Sequence, residues 1–297
     1  MPGNGFSYTG FKFHYNRNNT IFFPVKYFNS SLKLNEMIFK WNFFPWMVIS
    51  FLLILIGVNA CQGQLLGEEG SQVPSHKIWD ELLNKYVHKN GIVDYENFQQ
   101  DSILLGDYLN LVSQNPPDRN QWSREEQLAY WINAYNAFTV KLILDHYPIE
   151  SIKDLHPFPY IPGINSVWHL EFFEIGGKPA SLDQIEHKIL RKEFEEPRIH
   201  FAINCASYSC PPLRPEAYQA GKLDMQLEHQ GLLFINNPKW NIIDREDVKL
   251  SSIFKWFKED FTKNKSLKEF VNQYSENKIK KSQNISFLDY DWSLNDH

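Results

Sequence analysis

The chain has 297 residues, 43% hydrophobic and 15% aromatic, which is enough to bury a sizeable core and too apolar for a disordered chain. Its formal net charge is -5 and no long basic run appears, so nucleic acid is not an expected partner.

Residues 1–36 are aromatic- and Asn-rich without a sustained period, and translation is expected to start at Met37. In residues 37–60, Lys40 supplies a basic start and residues 47–58 form an uncharged apolar run of 12. A membrane-spanning helix needs roughly 20 such residues. The run ends at Val58-Asn59-Ala60-Cys61. This resembles a bacterial lipoprotein signal, and the resemblance implies cleavage before Cys61 and lipidation of its thiol. The alternative is an uncleaved anchor helix. Either reading puts the folded part outside the cytoplasmic membrane, and the lipoprotein reading makes it lipid-anchored in the cell envelope, facing the periplasm or cell exterior. Residues 61–75 read as a Gly/Gln/Glu/Ser tether, and the folded domain is expected over residues 76–297.

Within that domain, Ile78, Trp79, Leu82, Leu83, Tyr86 and Val87 recur at helical spacing, and residues 103–112 predict a second helix, stopped by Asn115-Pro116-Pro117. Ser123-Arg124-Glu125-Glu126 is a capping box that opens a third helix running to about residue 146. Asn133 and Asn136 share a face of it, and buried amides on a helix need partners. Residues 167–175 carry β-favouring side chains, Gly176-Gly177 is a hairpin signal, and a second capping box at Ser181 opens a helix over residues 182–194. Residues 199–203 read as a buried strand. A helix over residues 215–236, a hairpin over 241–250, helices over 253–261 and 267–274, and a short strand at 285–288 complete the chain. The fold class expected is α+β: a helix-rich single domain packed around a small sheet that contains residues 199–203.

The chemistry-bearing stretch is His200-Phe201-Ala202-Ile203-Asn204-Cys205-Ala206-Ser207-Tyr208-Ser209-Cys210, closed by Pro211-Pro212. A thiol nucleophile needs a base or cation to form thiolate, because a free cysteine titrates near roughly 8.5. Candidate activators of Cys205 are His187 and His200, with Glu186, Asn136 and Asn133 as orienters. In a strand, the odd offset would put His200 and Cys205 on opposite faces, which favours His187. Cys210 could instead lock Cys205 in a structural or redox disulfide, although the spacing is not Cys-x-x-Cys. A metal set of His169, His187, His200 and Cys205 lacks a close ligand pair, so no metal is expected. No phosphate loop or cofactor fingerprint is visible, so no cofactor is expected either. Two readings stay open. One is a thiol-dependent hydrolase or transferase acting on a small-molecule or peptide ligand. The other is a non-catalytic binding lipoprotein with a structural Cys205–Cys210 pair.

Four blocks carry a family resemblance: residues 126–137 (EQLAYWINAYNA), 185–191 (IEHKILR), 200–205 (HFAINC) and 290–295 (YDWSLN). Together they resemble the domain of unknown function 547 family. The resemblance implies a ranking of positions, with His187, His200 and Cys205 ahead of Cys210, where another small residue is common. It implies no reaction.

Overall fold

The computed structural model describes residues 72–162 and 164–296. The proposed start segment, the signal region and Cys61 lie outside the described residues. The described residues belong to one compact unit.

Its axis is α4 (Arg124–Leu144), which follows α1 (Lys77–Tyr86), α2 (Tyr95–Phe98) and α3 (Ser102–Gln114). The capping box at its start forms as the sequence predicts. Ser123 Oγ accepts from the Glu126 amide at 3.2 Å, and the Glu126 carboxylate accepts from the Ser123 amide at 2.7 Å. From Leu128 onward α4 is buried nearly all round, so it is a central helix and not a one-faced surface helix.

The strands are few and short. β1 (Phe173–Ile175) and β2 (Lys178–Ala180) form the hairpin signalled by Gly176-Gly177. β3 (Ile242–Ile243) and β4 (Val248–Leu250) are antiparallel, and β5 (Ser286–Phe287) joins β4 in parallel. The α+β class holds, with helix dominating these two small sheets.

Residues 199–203 depart from expectation. Ile199–Ala202 is one turn of helix, α6, and not a strand of the sheet. The amides of Ile199 and His200 bond back to the carbonyls of Glu196 and Pro197, closing the turn. All four residues are buried, so periodicity carries no information there, and a short apolar run fits either conformation. The expected helix over 182–194 is also different. Residues Gln184–Leu190 wind as a π-helix before α5 (Arg191–Glu193), and Ser181 Oγ takes only the Gln184 amide. Helix α7 (Leu223–Asn236) starts later than residue 215. The stretch expected at 253–261 breaks at Phe257 into α8 (Ile253–Trp256) and α9 (Lys258–Phe261), ahead of α10 (Leu267–Tyr274).

Two apolar clusters flank α6. Ile199 and Ala202 enter the one built around α4, with Trp79, Phe98, Tyr108 and Ile132. Phe201 enters a second, mostly aromatic one with Phe234, Phe254, Phe261 and Phe270. Between residues 203 and 219 the backbone is irregular, and buried amides replace a sheet there. Asn133 donates to the Tyr218 carbonyl and accepts from its amide, at 2.8 and 3.0 Å. Asn136 donates to the Ala202 carbonyl at 2.9 Å and accepts from the Asn204 amide at 2.8 Å. Gln226 and Gln230 hold the carbonyls of Ala217 and Pro212. Buried backbone groups need such partners wherever no ladder supplies them.

Candidate functional site

Cys205 sits where α6 ends and this clamped loop begins. Asn204 is fixed on three sides. Its amide donates to Asn136, its side-chain nitrogen donates to the Pro211 carbonyl, and its side-chain oxygen accepts from the Ala206 amide at 2.8 Å. Ala206 takes a φ of +60°, in the left-handed region that costs a residue with a Cβ about 1 kcal/mol or more. That turn aims the Cys205 side chain into a cavity of about 210 Å³. Its wall includes Glu186, His187, His200 and Cys210, and an aromatic group of Trp168, Trp256, Tyr290 and Trp292. Trp256 and Trp292 are stacked, with ring centres 5.8 Å apart, and Tyr290 packs on both.

Hydrogen bonds reach the Cys205 sulfur from unexpected quarters. Its neighbours are Cys210 Sγ at 3.1 Å, Ser207 Oγ at 3.3 Å and the Tyr290 hydroxyl at 3.4 Å. Ser207 and Tyr290 bond each other at 2.9 Å, so the three groups close a ring. The Cys210 thiol contributes most to pulling the Cys205 pKa down to about 6, against burial, and Ser207 and Tyr290 assist. Burial pushes the Cys210 thiol up, well above its ordinary value. Within the pair Cys205 is therefore the more acidic thiol and Cys210 the one that keeps its proton.

Glu186 has the opposite displacement. It is buried and accepts from the Tyr135 hydroxyl at 3.4 Å, and burial followed by the Cys205 charge lifts its pKa to about 8. The cavity thus contains a thiol made more acidic than usual and a carboxyl made less acidic. Environments that push two titratable groups apart in this way define an acid and a nucleophile or base.

The two histidines form a separate network. Arg191 Nη1 lies 2.8 Å from His187 Nδ1. A guanidinium can only donate, so Nδ1 carries the lone pair and the proton sits on Nε2. Burial lowers the His187 pKa, which keeps it neutral in that tautomer. His187 therefore presents an N–H and not a base. His200 Nε2 donates to Asp260 at 2.7 Å, and its ring stacks on Phe257 with centres 4.0 Å apart. Burial lowers the His200 pKa as well. Burial alone would raise Asp260. The bonds from His200 and Arg191 outweigh it and hold the carboxylate well below its ordinary range. At the cavity edge Asp183 lies between the Nε2 atoms of His169 and His187, at 3.5 and 3.8 Å. Among the described residues no group of three His, Cys, Asp or Glu side chains is placed to hold a metal ion.

Residues 119–235 match the family described as Protein of unknown function, DUF547. No curated protein and no solved structure matches the chain. The DUF547 segment contains α4, the π-helical stretch, α6 and both cysteines of the site. Tyr290 and the tryptophan Trp292 lie outside it, as does Asp260, so the cavity is completed by chain beyond the match.

The structure brings together on one cavity Cys205, Cys210, Glu186, His187 and His200. Asn133 and Asn136 stand behind, with both polar atoms of each amide committed to backbone. Sequence reasoning missed Ser207, Tyr290 and Asp260. Ser207 lies two residues from Cys205 and could have been raised as a local donor. Nothing local could have paired Tyr290 with a cysteine 85 positions away.

Proposed function

We propose that this domain is a thiol-dependent hydrolase or transferase with Cys205 as its nucleophile, carried on a lipid-anchored protein of the cell envelope. The observation that supports it is the Cys205 sulfur, held by Cys210, Ser207 and Tyr290 in an aromatic-walled cavity that Glu186, a carboxyl with a raised pKa, also lines. The thiolate attacks an electrophilic carbon, forming a C–S bond. The Glu186 carboxyl gives its proton to the leaving group and is left as a carboxylate, able to take a proton from the water or acceptor that completes the cycle. His187 offers its Nε2–H as a donor. Pockets for drug-sized ligands measure roughly 300–1,000 Å³. A cavity of about 210 Å³ suits an acyl group or a single side chain of a small-molecule or peptide ligand.

The test is alkylation by iodoacetamide across pH. Cys205 should react with a midpoint near 6, and Cys205→Ser should abolish that low-pH labelling of residues 199–222 with the fold intact. An inert Cys205 leaves the alternative, a binding lipoprotein with a structural thiol pair, a reading supported by the exposed Trp256 at the cavity rim. Attachment is tested separately. Among the described residues no helix is long and apolar enough to cross a membrane. Cys61→Ser should release the protein from the membrane fraction, and persistent membrane partitioning with the signal retained would mean an uncleaved anchor.

A further inference from the structure

The Cys205 and Cys210 sulfurs are free thiols 3.1 Å apart. A disulfide requires about 2.05 Å, so closure asks for an approach of roughly 1 Å. The loop maintains that relation from both ends. The Cys205 amide donates to Cys210 Sγ at 3.0 Å, and the Cys210 amide donates to the Ser207 carbonyl at 3.0 Å. The two thiols differ in access. Cys205 is half-buried, whereas Cys210 is buried behind it, and both line the same cavity. An oxidant that enters meets Cys205 first.

We propose that Cys205 and Cys210 are a reversible dithiol–disulfide pair oxidised by small hydroperoxides, in which Cys205 takes the oxygen and Cys210 resolves it. The proposal rests on the reactive Cys205 of the preceding section. In the first step the Cys205 thiolate attacks the hydroperoxide. The O–O bond breaks and an S–O bond forms. Two electrons leave sulfur, and the departing alkoxide takes a proton from Glu186, which recovers one from solvent. In the second step Cys210 attacks the Cys205 sulfenic sulfur. The S–S bond forms, the S–O bond breaks, and hydroxide leaves with the Cys210 proton as water. Two thiols and one hydroperoxide give one disulfide, one alcohol and one water. The displaced charges suit the roles, since the sulfur with the depressed pKa attacks first and the protonated one waits. Closure of the bond consumes the nucleophile, so oxidation would switch the site off.

The full chain is treated with equimolar hydrogen peroxide and digested with trypsin. Peptide 199–222 carries both cysteines and not Cys61. It should lose two hydrogens, iodoacetamide labelling should be almost abolished, and dithiothreitol should restore both thiols. In Cys210→Ala the same peptide should gain one oxygen and form a dimedone adduct. A peptide with two alkylatable thiols after peroxide would overturn the pair. So would Cys205 sulfinate beside a free Cys210. Fast alkylation without disulfide formation sinks the pair and keeps the nucleophile. A Cys205 inert to both reagents takes down both proposals.

Discussion

The two sides of the cavity are built on different physics. The cysteine side is held by neutral hydrogen bonds from amides to backbone: Asn136 to residues 202 and 204, and Asn204 to residues 206 and 211. The histidine side is held by charge. Arg191 and His200 converge on Asp260, with Arg191 also fixing His187. Directional neutral bonds fix a position at any pH. A charged network holds only while its carboxylate is ionised. The difference separates what aims the sulfur from what sets the protonation of its surroundings.

Removing the amide clamp should produce the largest effect. Asn136→Leu leaves the Ala202 carbonyl and the Asn204 amide buried without partners, at about 1–3 kcal/mol for each. A melting temperature equal to that of the wild type would show that the loop does not depend on this residue.

Next is the charged side. Asp260→Asn should cost on the order of 1.5–3 kcal/mol at pH 7, since the carboxylate accepts from two cationic or polarised donors. Its pKa is depressed by folding, so its stabilising contribution is complete above the ordinary value of 3.8 and fades as pH falls below it. The wild-type advantage over the variant should therefore shrink on acidification. An advantage constant down to acid pH would disprove the charged character of that side.

Glu186 should behave with the opposite sign. Its folded pKa is raised from 4.5 to about 8, so the unfolded chain ionises first and stability drains as pH rises between those values. Glu186→Gln should gain stability relative to wild type from pH 5 to pH 8, read from thermal melts across that range. A flat difference would mean that the carboxyl ionises in the fold.

The smallest effects concern the sulfur. Cys210→Ala, Ser207→Ala and Tyr290→Phe should each raise the Cys205 midpoint, in decreasing order, as followed by thiolate absorbance. A midpoint unmoved by Cys210→Ala would sharpen the comparison the other way, by moving control of the thiol to the histidine side.

The legible parts of the sequence were those with local grammar. Ser123 to Glu126 announced α4, Gly176-Gly177 announced a hairpin, and the run from Leu267 announced α10. Asn133 and Asn136 were readable as a buried pair because amides on an apolar helix need partners. The stretch 199–203 was not readable as a helix, because a run buried on every side has no period to detect. The role of His187 was hidden for a different reason. Its tautomer depends on Arg191 one π-helical turn away, and sequence spacing does not state which nitrogen accepts. Tyr290 and Asp260 reach the cavity only through tertiary packing.

The segment around residues 290–295 has a consequence for the timing of assembly. Tyr208 and Ser209 donate to the carbonyls of Ser293 and Asp291, Asn295 donates to Ala206, and Val93 donates to Asn295. The segment therefore ties the cysteine loop to Val93, early in the domain. A growing chain that has passed Cys205 but not Tyr290 lacks the Tyr290 hydroxyl and the Trp292 ring, two parts of the cavity wall. Until Tyr290 is in place the sulfur lacks one of the hydrogen bonds that make it acidic, so the tuning of this thiol waits on a residue made 85 positions after it.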